Sequence, residues 1–397
     1  MLPAGTYSTR LVASRDELCA IADDWNRCWE AQPRRQVQQH LDALLYDNPD
    51  RDGRSVVRAV VLESDGQIIG VAPFIVTPRV VSWRIRLPRT WWTVLQFAVT
   101  AVEVPGEELL APADIEAQRA LLDGLFDACH DVDVIRFPYT RVALDAGERV
   151  SRSRSPARRW FAGRKRDTPV LAAQLRNDLP TFLRHAMKKK RRDNFRREAR
   201  VLGEVDGTSL HLDVVTDPSD VPDFLAIADR VFAQSWHADR GAGPLRKGDR
   251  SEERYVWLAA QGWLRCYLLR KGDEPIAFLT GLQTGRVFRA VRTAYSMRWA
   301  RYSPGKVLWY RVLEDLHESG GCDELNFGYG DWEYKRIMAN DRYSVHTIDA
   351  IRPGIRNALV WSGPVAYGWV RASAIDAVSR HHFGDRITRW SRRHLAR

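Results

Sequence analysis

One order of secondary-structure signals runs twice along this chain, and that repetition limits the folds open to it. In the second half, Pro222–Trp236 carries Leu225, Ala228, Val231 and Phe232 at helical spacing. A Gly/Pro/charged stretch, Asp239–Arg250, follows as a loop. Trp263–Arg270, Ile276–Gln283 and Val287–Tyr295 then read as strands, parted by turns at Lys271-Gly272-Asp273-Glu274 and Thr284-Gly285-Arg286. A helix is predicted over Pro304–Ser319, with Leu308, Val312 and Leu316 on one stripe and a stop at Gly320-Gly321. The last strand, Asp323–Phe327, is expected parallel to its neighbour, because a strand–helix–strand unit crosses over with one hand.

The first half repeats this order. A helix is predicted over Ser14–Glu30, then a hairpin Val56–Glu63/Gln67–Val76 turning at Ser64-Asp65-Gly66, and extended chain through Leu110. A helix over Asp114–Cys129 and a strand over Val132–Phe137 complete it. The expected fold is α/β, a mixed α+β sheet built from two related halves. Their bounds are set at residues 1–175 and 176–350, with a basic, Trp-containing tail at 351–397. Val150–Asp167, rich in Arg and Ser, reads as an exposed hairpin or linker.

A length of 397 residues suits two domains, and a formal charge of +11 points to polyanionic partners without choosing among them. The five cysteines are scattered and lack ligand spacing, so neither a disulfide framework nor a metal site is expected. The N-terminus has no basic flank followed by an apolar run, so it does not read as a secretory signal. The most apolar windows, Trp91–Val102 and Ala358–Val370, fall short of the ~20 residues a membrane span requires. A cytoplasmic protein is expected, able to sit peripherally at the inner membrane face. Fifteen tryptophans suit either ordinary cores or contact with large ligands and membrane surfaces.

The most informative stretch is Tyr302-Ser303-Pro304-Gly305-Lys306-Val307-Leu308, between the third strand and the helix. Ser303 is expected to cap the helix, Pro304 suits its first position, and Gly305 lets a ligand approach the backbone. With a cation at Lys306, such a helix start can seat a pyrophosphate on free amides and the helix dipole. It can equally be a plain cap. The matching helix of the first half opens Ala111-Pro112-Ala113-Asp114-Ile115-Glu116, whose two carboxylates would repel a phosphate. One anion site per chain is therefore expected, in the second half.

The run Arg292–Leu308, followed by Asn326-Phe-Gly-Tyr-Gly-Asp-Trp-Glu-Tyr-Lys335, resembles the CelD/BioF-like acetyltransferase branch of the GNAT superfamily over roughly residues 170–345. The resemblance implies a tandem GNAT pair, related in architecture to the Fem-type aminoacyl transferases. It implies acetyl-CoA or a longer acyl-CoA as donor, held by Tyr302–Val307, with the amides of Ala294 and Tyr295 facing the thioester carbonyl. The acceptor would be an amine or hydroxyl of a small molecule, glycan or peptide, such as a sugar or cell-envelope precursor in polysaccharide biosynthesis. Direct transfer needs no covalent enzyme intermediate.

Asp331 is the expected general base or acceptor-orienting group; the alternative is a turn aspartate capping the next helix. Tyr334 is read as proton donor to the departing thiolate or as a core residue. Lys335 is read as stabilising developing charge or as the ion-pair partner of Asp331. His237 is either a base near the acceptor or an exposed loop histidine. The basic run Arg184–Arg200 fits a polyanionic acceptor, tRNA, an anionic membrane, the cofactor's phosphates, or a solvated interdomain helix. A Fem-like aminoacyl-tRNA-dependent transferase and a non-catalytic scaffold of the same fold remain the competing readings.

Overall fold

The computed structural model describes residues 7–48, 55–87, 90–141, 160–239, 243–245 and 249–361. Its first half opens with strand β1 (Ser8–Val12), helices α1 (Arg15–Ala20), α2 (Ala22–Glu30) and α3 (Leu41–Asp47), and strands β2 (Val56–Ser64), β3 (Gln67–Leu87) and β4 (Thr90–Glu103). Helix α4 (Ile115–Ala128) and strand β5 (Val134–Thr140) follow. Strand β6 (Phe161–Gln174) leads through α5 (Leu179–Ala186) and α6 (Lys189–Glu204) into β7 (Leu210–Val215). Helices α7 (Val221–Ala233), α8 (Trp236–Asp239) and α9 (Asp249–Ala260) precede β8 (Leu264–Lys271), β9 (Glu274–Thr284) and β10 (Val287–Tyr295). The chain then forms α10 (Pro304–Glu318), β11 (Glu324–Tyr329), α11 (Glu333–Met338) and β12 (Asp341–Ile351).

All twelve strands join one sheet, ordered β1-β2-β3-β4-β5-β12-β6-β11-β10-β9-β8-β7. In the first half β1 to β4 pair antiparallel in succession and β4 pairs β5 in parallel. The second half repeats this: β7 to β10 are antiparallel and β10 pairs β11 in parallel. The crossover helices agree as well. Ala117, Leu121 and Leu125 of α4 and Leu308, Val312 and Leu316 of α10 are all fully buried at four-residue spacing, each helix covering its own half-sheet. Two related halves with a mixed sheet are thus present.

The halves are joined by exchanged strands. β6 follows the first half in sequence yet pairs antiparallel with β11, while β12 follows the second half yet pairs antiparallel with β5. The two exchanged strands pair with each other from Asp341↔Ala172 to Ile351↔Phe161. Across the β5–β12 ladder Arg136 makes a bidentate pair with Asp349, at 2.7 and 2.8 Å.

Three expectations change. The helix predicted over Ser14–Glu30 breaks at Ile21: Ser14 and Glu17 form a capping box for α1, and α2 sets off anew to bury Trp25, Cys28 and Trp29. Regular strand ends at Glu103, after which residues 104–107 stay bound to β5 and Leu110 makes an isolated bridge to Val71 of β3. Of the stretch read as an exposed hairpin or linker, Phe161–Asp167 is strand paired with β12; residues 150–159 lie outside the described residues.

If the exchanged strands hold the halves together, a chain ending at residue 340 should leave β5 and β6 with bare edges. Loss of the cooperative thermal transition, with aggregation on size-exclusion chromatography, is the expected result.

Candidate functional site

β10 and β11 are paired over three residues only: Val287↔Glu324, Phe288↔Leu325 and Arg289↔Asn326. Beyond them β10 stays with β9 as far as Tyr295↔Ala277, and β11 stays with β6 as far as Tyr329↔Val170. The β9 register slips between Ala290 and Arg292, where β10 begins to diverge. At the throat, Gly328 adopts φ +74°, and a Cβ there would lie 3.1 Å from the carbonyl oxygen of Ala290. Past this point the two parallel strands splay, and a 3-10 helix over Met297–Tyr302 leads from β10 into α10.

The start of α10 differs from expectation. Ser303 takes the left-handed conformation (φ 55°, ψ 46°) and its side chain makes no capping hydrogen bond. Instead its carbonyl oxygen accepts from the amides of Lys306 and Val307, at 3.0 and 3.2 Å. Gly305 is explained first by packing: a Cβ on it would stand 3.1 Å from Cδ1 of Tyr295. Lys306 pairs with Glu198 of α6 at 3.2 Å, so its charge is shared with a neighbouring helix. Ala294, Pro304 and Val307 are buried, so their side chains belong to the packing around the helix start. Tyr302 is half-buried beneath the Arg301 guanidinium, 4.6 Å from the ring centre.

In the first half the equivalent space is closed. After Glu103 the chain remains bound to β5: the Val104 amide donates to Arg136, and the Glu107 carbonyl accepts from the Arg141 amide and the Thr140 hydroxyl. The Asp114 carboxylate caps α4 by accepting from the Ala117 amide at 2.9 Å and from the Tyr7 hydroxyl at 2.9 Å. No wedge opens there, and a carboxylate occupies the helix N-terminus.

The segment after β11 brings three predicted residues to the second-half site. Lys335 is buried, and its ammonium donates to the carbonyls of Gly328 and Tyr329 at 3.0 and 2.8 Å, gripping the end of the splayed strand. Burial pulls its pKa down to about 8, against a smaller opposing pull from Asp331. Tyr334 stacks on Trp309 of α10, 5.9 Å between centres, and burial pushes its hydroxyl up to about 12. Asp331 is bound by Arg336 and by Arg342, the latter at 3.2 Å. The hydrogen bond from Arg336 holds its carboxyl below the usual range. That makes it a weak base, and Lys335 is not its ion-pair partner. His237 stands apart, stacked on Trp236 at 3.7 Å and set against Phe232 among the α7 residues, whose core is distinct from that of α10.

Sequence reasoning missed a carboxylate from the other half. Glu107 is buried, and it accepts from the hydroxyls of Tyr329 at 3.3 Å and Tyr343 at 3.1 Å. Burial raises its pKa, and the buried Arg289 guanidinium opposes that rise. Tyr139 of β5 stacks on Tyr329 at 3.8 Å. Nothing in Val104-Pro105-Gly106-Glu107 signals such a role, since the partners come from strands over 180 residues away. Among the described residues no cluster of three or more His, Cys, Asp or Glu is placed to hold a metal.

Residues 189–336 match the family model described as Acetyltransferase (GNAT) domain. Among solved structures, the chain is similar to FemX, with a TM-score of 0.52 at 12% identity over 83% of this chain and 96% of that one. The chain has the tandem GNAT-like fold. Two further structures align at lower scores. One is the C-terminal domain of a putative lysylphosphatidylglycerol synthetase from Agrobacterium fabrum, at TM-score 0.49, 14% identity, 88% and 96% coverage. The other is a tandem GNAT protein from the clavulanic acid biosynthesis pathway, at TM-score 0.48, 12% identity, 88% and 99% coverage. No curated protein matches the chain by sequence.

The Lys335 pKa carries a stability prediction. Its folded value near 8 lies below the ordinary 10.5, so between these pH values the unfolded chain binds more protons. Wild-type stability should therefore gain on that of Lys335→Met as pH rises from about 8 towards 10.5, as read by urea unfolding across a pH series.

Proposed function

We propose that this chain is an acyl-CoA-dependent acyltransferase of the CelD/BioF-like GNAT branch, transferring an acetyl or longer acyl group to an amine or hydroxyl. The observation that carries this reading is the divergence of β10 from β11 beside a helix N-terminus that no side chain caps. The donor's pyrophosphate suits this helix N-terminus with the Gly305 amide as donor, since Pro304 has no N–H and the amides of Ser303, Lys306 and Val307 are bound to the carbonyls of Ala300 and Ser303. Its acyl arm suits the wedge, where backbone groups of Ala294 and Tyr295 would meet the thioester carbonyl.

The chemistry moves one proton overall. The acceptor nitrogen or oxygen attacks the thioester carbon, its proton is lost, and the departing sulfur of coenzyme A gains one. Tyr334 keeps its proton throughout the neutral range and is the donor placed beside α10. Lys335, with a pKa near 8, holds the end of β11 and is the group whose charge changes within the working range. Asp331, ionised and clasped by two arginines, is assigned as the acceptor-orienting group rather than the base.

The same reading assigns residues 176–350 as the working domain, 1–175 as its degenerate partner and 351–397 as a tail. Its acceptor is a small molecule, glycan or peptide, including sugars and polysaccharide precursors, met in the cytoplasm. His237, on α8 just after α7, is assigned to the acceptor side.

A second reading, a Fem-like transferase taking its group from tRNA, draws on α6. Lys188, Lys189, Lys190, Arg191, Arg196, Arg197 and Arg200 are exposed there. Contacts of Phe195 with Tyr310 and of Glu198 with Lys306 run α6 antiparallel to α10. Its Lys188–Arg191 end thus lies roughly 10–15 Å from the proposed pyrophosphate seat, by helix rise. That cluster is therefore free for a separate polyanion.

Calorimetric titration with acetyl-CoA and longer acyl-CoAs tests the first reading. Saturable binding is expected, abolished in Gly305→Glu, which brings a carboxylate to the seat and displaces Tyr295. Tyr334→Phe should bind the donor normally and lose about a hundredfold or more in transfer rate. No binding of any acyl-CoA, with strongly salt-dependent tRNA binding lost in a Lys188–Arg191 charge variant, would favour the second.

A further inference from the structure

We infer that the projecting β3–β4 hairpin, braced by the helical turn at residues 355–361, is a docking surface for an anionic lipid membrane. β2 stops pairing with β3 at Val56↔Val76, and β5 begins pairing with β4 at Ala101↔Val134. Beyond those points, from Pro78↔Thr100 to Leu87↔Thr90, no third strand pairs with either of them among the described residues. Ten residues of unaccompanied hairpin extend about 30 Å at strand rise. A free two-stranded ribbon is marginal in water, so one of this length calls for a partner.

Its chemistry selects the partner. From Gly66 to Val102 there is no Asp or Glu, whereas Arg79, Arg84, Arg86 and Arg89 and Trp83, Trp91 and Trp92 all fall within the hairpin. Arg79 pairs with Glu103 at the base, and no carboxylate in this stretch of sequence offsets Arg84, Arg86 and Arg89. Val80 is 62% and Leu95 46% exposed. The helical turn is fixed to the same arm, with the Trp83 indole donating to the Val360 carbonyl at 2.9 Å and Arg356 reaching the carbonyl of Ala98. That turn adds Ile355 and Leu359, 85% and 57% exposed.

Arginine, tryptophan and exposed aliphatic groups on one projection match the interface of a bilayer with anionic headgroups. Two copies of a uniformly positive arm would repel each other, which disfavours self-association. A nucleic acid would meet the arginines but leave Val80, Leu95 and Ile355 in water. No helix among the described residues is long and apolar enough to cross a membrane, so the contact is with the surface.

The full-length protein would be sedimented with vesicles of phosphatidylcholine alone and of phosphatidylcholine with phosphatidylglycerol, with acyl-CoA binding read separately by calorimetry. Binding to the anionic vesicles only, weakened by salt, is expected. The variant R84Q/R86Q/R89Q should bind roughly a hundredfold more weakly, and V80S/L95S should also lose affinity, while both keep a wild-type circular dichroism spectrum. Donor binding, whether present or absent in the wild type, should be the same in both variants, so the donor site and the lipid surface stand or fall separately. Wild-type vesicle binding by the arginine variant would overturn the proposal. So would equal binding to both vesicle types, or a hairpin that binds an RNA oligonucleotide or a second copy in place of vesicles.

Discussion

The pairing of β6 with β12 is the contact on which the rest of this molecule depends. Each strand belongs by sequence to one half and by hydrogen bonding to the other, so neither half can complete its edge without its partner. A sheet edge left open is a template for association, and reciprocal exchange removes two edges at once. It also brings polar groups of both halves into one buried place. Arg34 pairs with Glu324 at 2.9 Å, and Arg289 donates to the carbonyls of Arg34 and Arg35. Removing one member of such a set leaves a buried charge uncompensated, which costs far more than the pair contributes when intact. The seam therefore specifies one arrangement of the halves.

Identical strand order has been given two outcomes by small local differences. In the first half, residues 104–107 stay bound to β5, and their carboxylate Glu107 is directed into the seam. In the second half, β10 follows β9 away from β11, and the strand carbonyls this frees are met by Lys335. The ammonium is thereby an essential part of the open wedge: without a donor there, the carbonyls of Gly328 and Tyr329 would be left unpaired in a low-dielectric place. An open wedge and a buried lysine with a depressed pKa are two aspects of one arrangement.

Much of this was legible because it is local. The apolar spacing of α4, α7 and α10 and the Gly-centred turns at Asp65-Gly66, Gly272 and Gly285 place most elements within a residue or two. The parallel run of β11 against β10 follows from the crossover rule. What was not legible depends on distant partners. Phe161–Asp167 looks like a linker because its strand character comes from β12, about 180 residues later. Ser303 looks like a cap, yet its left-handed backbone turns the carbonyl rather than the hydroxyl to the first turn. Gly305 looks like a ligand's clearance, and Tyr295 turns out to use it.

The electrostatics of the Asp331–Lys335 segment also separate roles that spacing alone leaves merged. Two arginines lower the Asp331 pKa while burial lowers that of Lys335 and raises that of Tyr334, so the three groups titrate in widely separated ranges. Near neutral pH the aspartate is charged and the tyrosine is neutral, and only the lysine is poised to change. A carboxylate in a salt-bridged clasp keeps its charge across the neutral range, and a phenol with a raised pKa keeps its proton. Because Lys335 donates to two carbonyls of β11, the ammonium and the neutral amine alike carry enough N–H groups to hold both, so the strand end keeps its partner on either side of the titration.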